Sequence, residues 1–194
     1  MSEIDGTSPI SRKRPFILVT GTPCVGKTAT ASLLAERNGF RHICVGDLVK
    51  ENNFYDGRDE KLESYYLDEE KLLDHMETVL KECDDEGMGI VCDYHSCEIF
   101  PERWFDLVLV LRAQTDVLFD RLSKRDYSEK KRQENLECEI MQVVLDEARE
   151  AYAKDIVHEL PSNTIEEMES NIQRAQTWTE QWILDKNNQV SEEE

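Results

Sequence analysis

At 194 residues the chain has the length of one ordinary domain, and 42 acids against 23 lysines and arginines give it a formal charge of −19. A chain that acidic has no general attraction for phosphate backbones or anionic membranes, which argues against direct DNA binding and against a membrane-surface protein. Its 39% apolar content gathers into runs long enough for a core but far short of the ~20 residues that span a bilayer.

Residues 1–14 carry Asp5 and the basic cluster Arg12, Lys13 and Arg14, without an apolar segment of signal-peptide length, and read as a flexible tail. The chain is accordingly expected to be intracellular. Phe16 to Thr20 is the first strand candidate. Directly after it comes Gly21-Thr22-Pro23-Cys24-Val25-Gly26-Lys27-Thr28, a full GxxxxGKT match, followed by the helix-compatible Ala29, Ala31, Leu33 and Leu34. The glycines let the backbone curl so that successive N–H groups and the helix N-terminus face phosphates. Gly21, Cys24, Val25, Gly26, Lys27, Thr28 and Ala29 are therefore the nucleotide-binding candidates. Lys27 is expected on the β- and γ-phosphates of ATP and the Thr28 hydroxyl on Mg²⁺.

Arg41 to Val45 reads as the second strand, and Gly46 to Leu67, polar and aromatic without a sustained period, as an insertion able to cover a substrate. From a capping Asp68 the apolar positions Leu72, Leu73, Met76, Val79 and Leu80 follow helical spacing. Gly89 to Asp93 is a third strand, and Asp93 at its end is the carboxylate that Mg²⁺ chemistry in such a fold requires. His95, two residues on, is suited to position a water or move a proton, though a turn histidine would look the same. Strand Leu107 to Leu111 and helix Asp116 to Lys124 follow. Between Arg121 and Arg132 lie six bases, opposed only by Asp126 and Glu129. Arg125 there is the candidate for neutralising the polyphosphate, and contact with ribosomal RNA is the other use of such a cluster.

Lys131 to Tyr152, with Leu136, Ile140, Val143, Val144, Ala148 and Ala151 at helical intervals, predicts one long amphipathic helix. Ile156 to Leu160 is the fifth strand, and the capping box from Thr164 to Glu167 starts the last helix. Residues 187–194 read as an acidic tail. Strands alternating with helices give an α/β fold with a parallel sheet covered on both faces. The six cysteines contain no CxxC pair and are expected to be reduced thiols.

The GTPCVGKT loop, the VGDL segment at Val45 to Leu48, DYHSCEIFPERWFD from Asp93 to Asp106 and RLSKRDY from Arg121 to Tyr127 resemble the adenylate kinase isoenzyme 6 family over about Phe16 to Lys186. The resemblance implies a P-loop NTPase of the nucleoside-monophosphate-kinase kind in residues 15–186, with a five-stranded parallel sheet. It also implies a monophosphate-binding part at 44–67 and a short lid at 124–134, with Arg125 on ATP. It further implies γ-phosphoryl transfer from Mg·ATP to AMP, with Gly46 and Asp47 on the AMP side. Asp93 and His95 match a DxH pair associated with ATPase activity. Small-ribosomal-subunit maturation with a ribosomal protein partner, in nucleus and cytoplasm, is implied too, and the chain is expected to be a monomer. An ATPase switch serving mainly ribosome assembly, with kinase turnover incidental, is the alternative.

Two positions depart from the family pattern: Cys24 where Gly is common and Ala29 where Thr or Ser is frequent. Cys24 must accept its backbone angles without the freedom of Gly. Cys24 is either an inert small residue or a thiol sensitive to alkylation and protected by ATP. The acidic surplus is heaviest after Arg132, where 16 acids face four bases, and this surface suits a basic protein such as a ribosomal protein.

Overall fold

The computed structural model describes residues 12–59 and 64–192. In chain order the elements are β1 (Phe16–Thr20), α1 (Lys27–Asn38), β2 (Arg41–Cys44), α2 (Val45–Asn52), β3 (Tyr55–Asp59), β4 (Ser64–Leu67), α3 (Glu69–Asp85) and β5 (Ile90–Asp93). A 3₁₀ turn (Glu102–Trp104) then leads to β6 (Leu107–Arg112), α4 (Thr115–Ser123), α5 (Glu129–Ile140), α6 (Val143–Ala151), β7 (Val157–Pro161) and α7 (Ile165–Glu192).

Five strands form one parallel sheet in the order β2-β5-β1-β6-β7, while β3 and β4 make a separate antiparallel hairpin. β1 is central, and all five of its residues are buried, as expected of a strand covered on both faces. On one face Phe16, Leu18, Ile90 and Cys92 pack with Leu72 and Met76 of α3 and with Leu145 and Ala148 of α6. On the other, Ile17, Val19, Val91 and Leu109 pack with Leu34 of α1, Leu118 of α4 and Ile172 of α7. Strand order reverses around β1, so the loop leaving it opens at the carboxyl edge of the sheet, at a topological switch point.

Four expectations from the sequence are corrected. The single helix from Lys131 to Tyr152 is two, broken at Gln142, whose φ of 59° is left-handed. The cause is tertiary. The Glu139 carbonyl, which would accept from Val143 in a continuing helix, accepts instead from Arg112 Nη2 (2.8 Å) and from the Gln142 amide (3.1 Å). The break resets the helical phase, so Ile140 and Val143 are exposed while Val144, Leu145 and Ala148 are buried.

The body of the protein also begins earlier than residue 15. Arg12 is buried and donates to Trp104 O (3.0 Å), Arg103 O (2.5 Å) and Asp106 Oδ2 (2.9 Å). The rest of the proposed N-terminal tail, residues 1–11, lies outside the described residues. Finally, α7 continues to Glu192 through most of the segment read as a tail, and residues 193–194 lie outside the described ones. Val45 opens α2 and does not close β2.

Asp68 does cap α3, accepting from the Lys71 amide (3.2 Å). Among the described residues no helix is long and apolar enough to cross a membrane. All six cysteines are free.

Candidate functional site

The loop between β1 and α1 can curl only because of its glycines. Gly21 has φ 140°, and a Cβ there would stand 2.5 Å from the Leu111 carbonyl oxygen; Gly26, at φ 102°, turns the chain into α1. Cys24 lies at φ 71°, so the position where the resemblance implies Gly is indeed left-handed. Cys24 therefore carries backbone strain on the order of 1 kcal/mol.

No acidic side chain sits in the first turn of α1, leaving the amides of its N-terminus in a field that favours anions. Val25 anchors the loop: its side chain is fully buried, and its carbonyl accepts from Ser162 Oγ at 2.6 Å.

Lys27 Nζ donates to the carbonyls of Gly21 (2.8 Å) and Thr22 (2.9 Å), which hold the ammonium over the mouth of the loop. Burial pushes its pKa down to about 8, against the opposing pull of Asp93, Cys24, Glu139 and Cys44. The Thr28 hydroxyl donates to Asp93 Oδ2 at 2.7 Å. Strand pairing produces this meeting: β5 lies beside β1 with Val19 opposite Asp93, so the carboxylate ends up under the start of α1.

A hydroxyl and a carboxylate at hydrogen-bond distance, beneath a turn of free amides, form a set of hard oxygen donors that fits Mg²⁺ carried by a nucleotide. Thr28 and Asp93 are the residues that would hold it.

Asp93 has two further neighbours. His42 Nε2 lies 2.7 Å from Oδ1, and Cys44 Sγ lies 3.8 Å from Oδ2. Both come from β2, whose residues His42 and Cys44 stand opposite Val91 and Asp93. Since side chains alternate along a strand, all four share one face.

His95 stacks obliquely on Tyr94, with ring centroids 4.5 Å apart. His95 is exposed to solvent, and its pKa is lowered, first by desolvation against its neighbours and then by the positive charges of Lys27 and Lys131. An unprotonated ring is available there as a hydrogen-bond acceptor. Its loop is stiff because Tyr94, Phe100, Trp104, Phe105 and Tyr152 form one aromatic cluster and the Tyr152 hydroxyl donates to Cys97 O at 2.7 Å.

The basic segment divides. Arg121 is committed to structure, donating to Ser162 O (2.8 Å) and Asn163 O (2.9 Å). Lys124 and Arg125 are exposed and line, together with Cys24, Gly26, Lys27, Thr28, Ala29 and Arg121, a cleft of about 490 Å³. Gly46 and Asp47 form the first turn of α2. A Cβ on Gly46 would meet nothing within 4 Å, and Asp47 is exposed, accepting from Lys50 at 3.0 Å. Lys50 is the main cause of the lowered Asp47 pKa, with smaller contributions from Cys44, itself 3.8 Å from Asp93, and from His42.

Sequence reasoning missed Glu139 as well as His42. Glu139 is 3% exposed, and its carboxylate accepts from the Thr22 hydroxyl in the phosphate loop, from Arg112 Nε (2.7 Å) and from the Ala113 amide (3.0 Å). It ties the far end of α5 to the floor of the cleft. The available signal was a carboxylate three residues beyond Leu136, on the stripe that otherwise reads as core.

A family model described as an AAA domain matches residues 17–142. An adenylate kinase isoenzyme 6 homolog from Caenorhabditis elegans is 53% identical over 86% of this chain and 90% of its own length. The Dictyostelium discoideum homolog is 48% identical over 92% and 99%. The chain belongs to the adenylate kinase isoenzyme 6 family. A Saccharomyces cerevisiae homolog of the same name is 42% identical over 89% of this chain and 85% of the relative.

Among solved structures, a shikimate kinase from Bacteroides thetaiotaomicron superimposes with a TM-score of 0.53 over 86% of this chain and 98% of its own, at 19% identity. A sugar kinase from Janibacter gives 0.54 over 85% and 94%, at 18%. At such identities these matches bear on the fold alone, a P-loop kinase fold. For this adenylate kinase isoenzyme 6 family chain, the FPERWF stretch that carried the resemblance is a packing device. Its aromatics brace the loop that presents His95.

Proposed function

We propose that the protein transfers the γ-phosphoryl group of Mg·ATP to AMP and, when no acceptor is held, to water. The observation that carries this reading is that Lys27, Thr28 and Arg125 line one cleft, with the Asp93 carboxylate 2.7 Å from the Thr28 hydroxyl. The loop amides and Lys27 bind and orient the polyphosphate. Arg125 neutralises charge on the group in flight, and most of the catalysis is positioning and electrostatics. Mg²⁺ held by Thr28 and Asp93 would supply further charge neutralisation of the polyphosphate.

AMP as acceptor rests on the relatives' shared name and on the Gly46–Asp47 turn that lies open on the Asp93 side. Hydrolysis rests on the unprotonated His95 ring, which orients a water by accepting a hydrogen bond from it. A γ-labelled ATP transfer screen across nucleoside monophosphates, with a no-acceptor control, tests the reading. Labelled ADP from AMP is expected, and its absence with every acceptor would sink it.

A second reading is an ATPase switch in small-ribosomal-subunit maturation, in nucleus and cytoplasm, with a basic ribosomal protein as partner. It is favoured by the acidic surplus after Arg132. Stimulation of ATP hydrolysis by such a protein without AMP supports it. If charge reversal at Asp146, Glu147 and Glu150 left that binding untouched, the acidic surface would lose its role.

A further inference from the structure

We infer that His42 is a positioning residue for Mg²⁺: it fixes Asp93 in the rotamer that presents Oδ2 to Thr28, and so sets how strongly the cleft couples metal to nucleotide. The inference rests on the reading above, in which Asp93 and Thr28 hold the metal.

Asp93 is a side chain only 5% exposed, and a carboxylate so placed must be held by donors or it is costly to keep charged. Two strong donors hold it, one on each oxygen. Thr28 Oγ1 is 2.7 Å from Oδ2, and His42 Nε2 is 2.7 Å from Oδ1. Since a carboxylate only accepts, Nε2 carries the proton in this contact. That donation needs no particular charge on the ring.

The division of labour follows from where the donors stand. Thr28 begins α1 next to Lys27, facing the phosphate loop, so its contact lies where a nucleotide-borne cation would lie. His42 comes from β2 and meets the other oxygen of the carboxylate, across from α1. The His42 contact can therefore persist with the metal in place, while Oδ2 and the threonine hydroxyl turn to the cation. Cys44, on the same face of β2 and 3.8 Å from Oδ2, is too long and too weak a donor to substitute.

Such partners behind a metal ligand, orienting it without touching the metal, typically contribute ~10–100-fold in metal affinity. Neither the phosphate-loop motif nor the DxH segment contains His42. Only the register of β2 on β5 brings it to the site.

The test measures the dissociation constant of a fluorescent ATP analogue with excess EDTA and with saturating Mg²⁺, the ratio being the metal coupling. In the wild-type protein Mg²⁺ tightens binding. His42→Ala should lower that ratio ~10-fold while leaving the EDTA constant within about 2-fold. His42→Gln, whose amide N–H reaches the same oxygen, should recover most of the ratio. Asp93→Asn should abolish the coupling.

The inference is overturned if His42→Ala keeps the wild-type ratio while Asp93→Asn loses it; the metal reading then stands without His42. Weakening of both constants alike, or a Gln variant as poor as Ala, reduces His42 to a structural residue and overturns it too. Wild-type coupling in Asp93→Asn removes the Asp93 reading itself, and this inference with it.

Discussion

The floor of the cleft and its basic rim are built on opposite principles. On the floor, Lys27 is held by two carbonyls and Asp93 by Thr28 and His42, while Thr22 is tied through buried Glu139 to Arg112. On the rim, Lys124 and Arg125 are exposed, and further along the basic segment the Lys130–Glu134 pair at 3.7 Å is a surface contact of little energetic weight. The floor groups are held by internal hydrogen bonds, while the rim groups are left in water; in the proposed function the first are set before the nucleotide arrives and the second respond to it.

The sharpest way to break this contrast is Lys27→Ala, which should cost ~10³-fold in ATP turnover to either acceptor, read as ADP and phosphate release. Arg125→Ala should cost ~10²-fold in turnover yet change unfolding stability by less than about 0.5 kcal/mol, because its side chain is exposed. Glu139→Ala should do the reverse on the floor. By leaving Arg112 short of its partner it should destabilise the fold by about 3 kcal/mol in urea titration. If the Arg125 change unfolded the protein and the Glu139 change did not, floor and rim would have been misassigned.

His95→Ala should reduce hydrolysis ~10²-fold and spare transfer to AMP; equal losses would deny it a role specific to water. Because its pKa is lowered below that of an ordinary histidine, the ring stays unprotonated as pH falls through 6.5, where an ordinary histidine would gain a proton. Hydrolysis between about pH 7.5 and pH 5.5 should therefore show no His95-dependent loss. A drop centred near 6.5 that vanished in His95→Ala would contradict this.

The smallest expected effect is chemical. Half-exposed Cys24 should be alkylated and protected by Mg·ATP, whereas Cys97, buried and with its thiol pushed up to about 12, should not react. Equal labelling of Cys24 with and without Mg·ATP would remove it from the nucleotide site.

The parts of the site legible in the sequence were those encoded contiguously. Gly21 to Thr28 sits between a strand and a helix, and Asp93 and His95 end a short apolar run. The five strands were legible to within a residue or two for the same reason. His42 was not, because nothing within β2 signals which residue of β5 it faces. Glu139 was hidden as a charge on an otherwise apolar helical stripe. Nor did the sequence announce the break at Gln142, which carries neither Gly nor Pro. A hydrogen bond from Arg112, 27 residues away from Glu139, ends α5. Helical periodicity continues past such a break because it reports what each half buries, not whether the halves are joined.

The most direct test of the account is to follow the fate of the γ-phosphoryl group as AMP is titrated into a fixed amount of Mg·ATP. If one wired floor serves both acceptors, labelled ADP should rise while phosphate release falls in step, the two competing for the same bound ATP. Phosphate release indifferent to AMP, with no labelled ADP at any concentration, would contradict it.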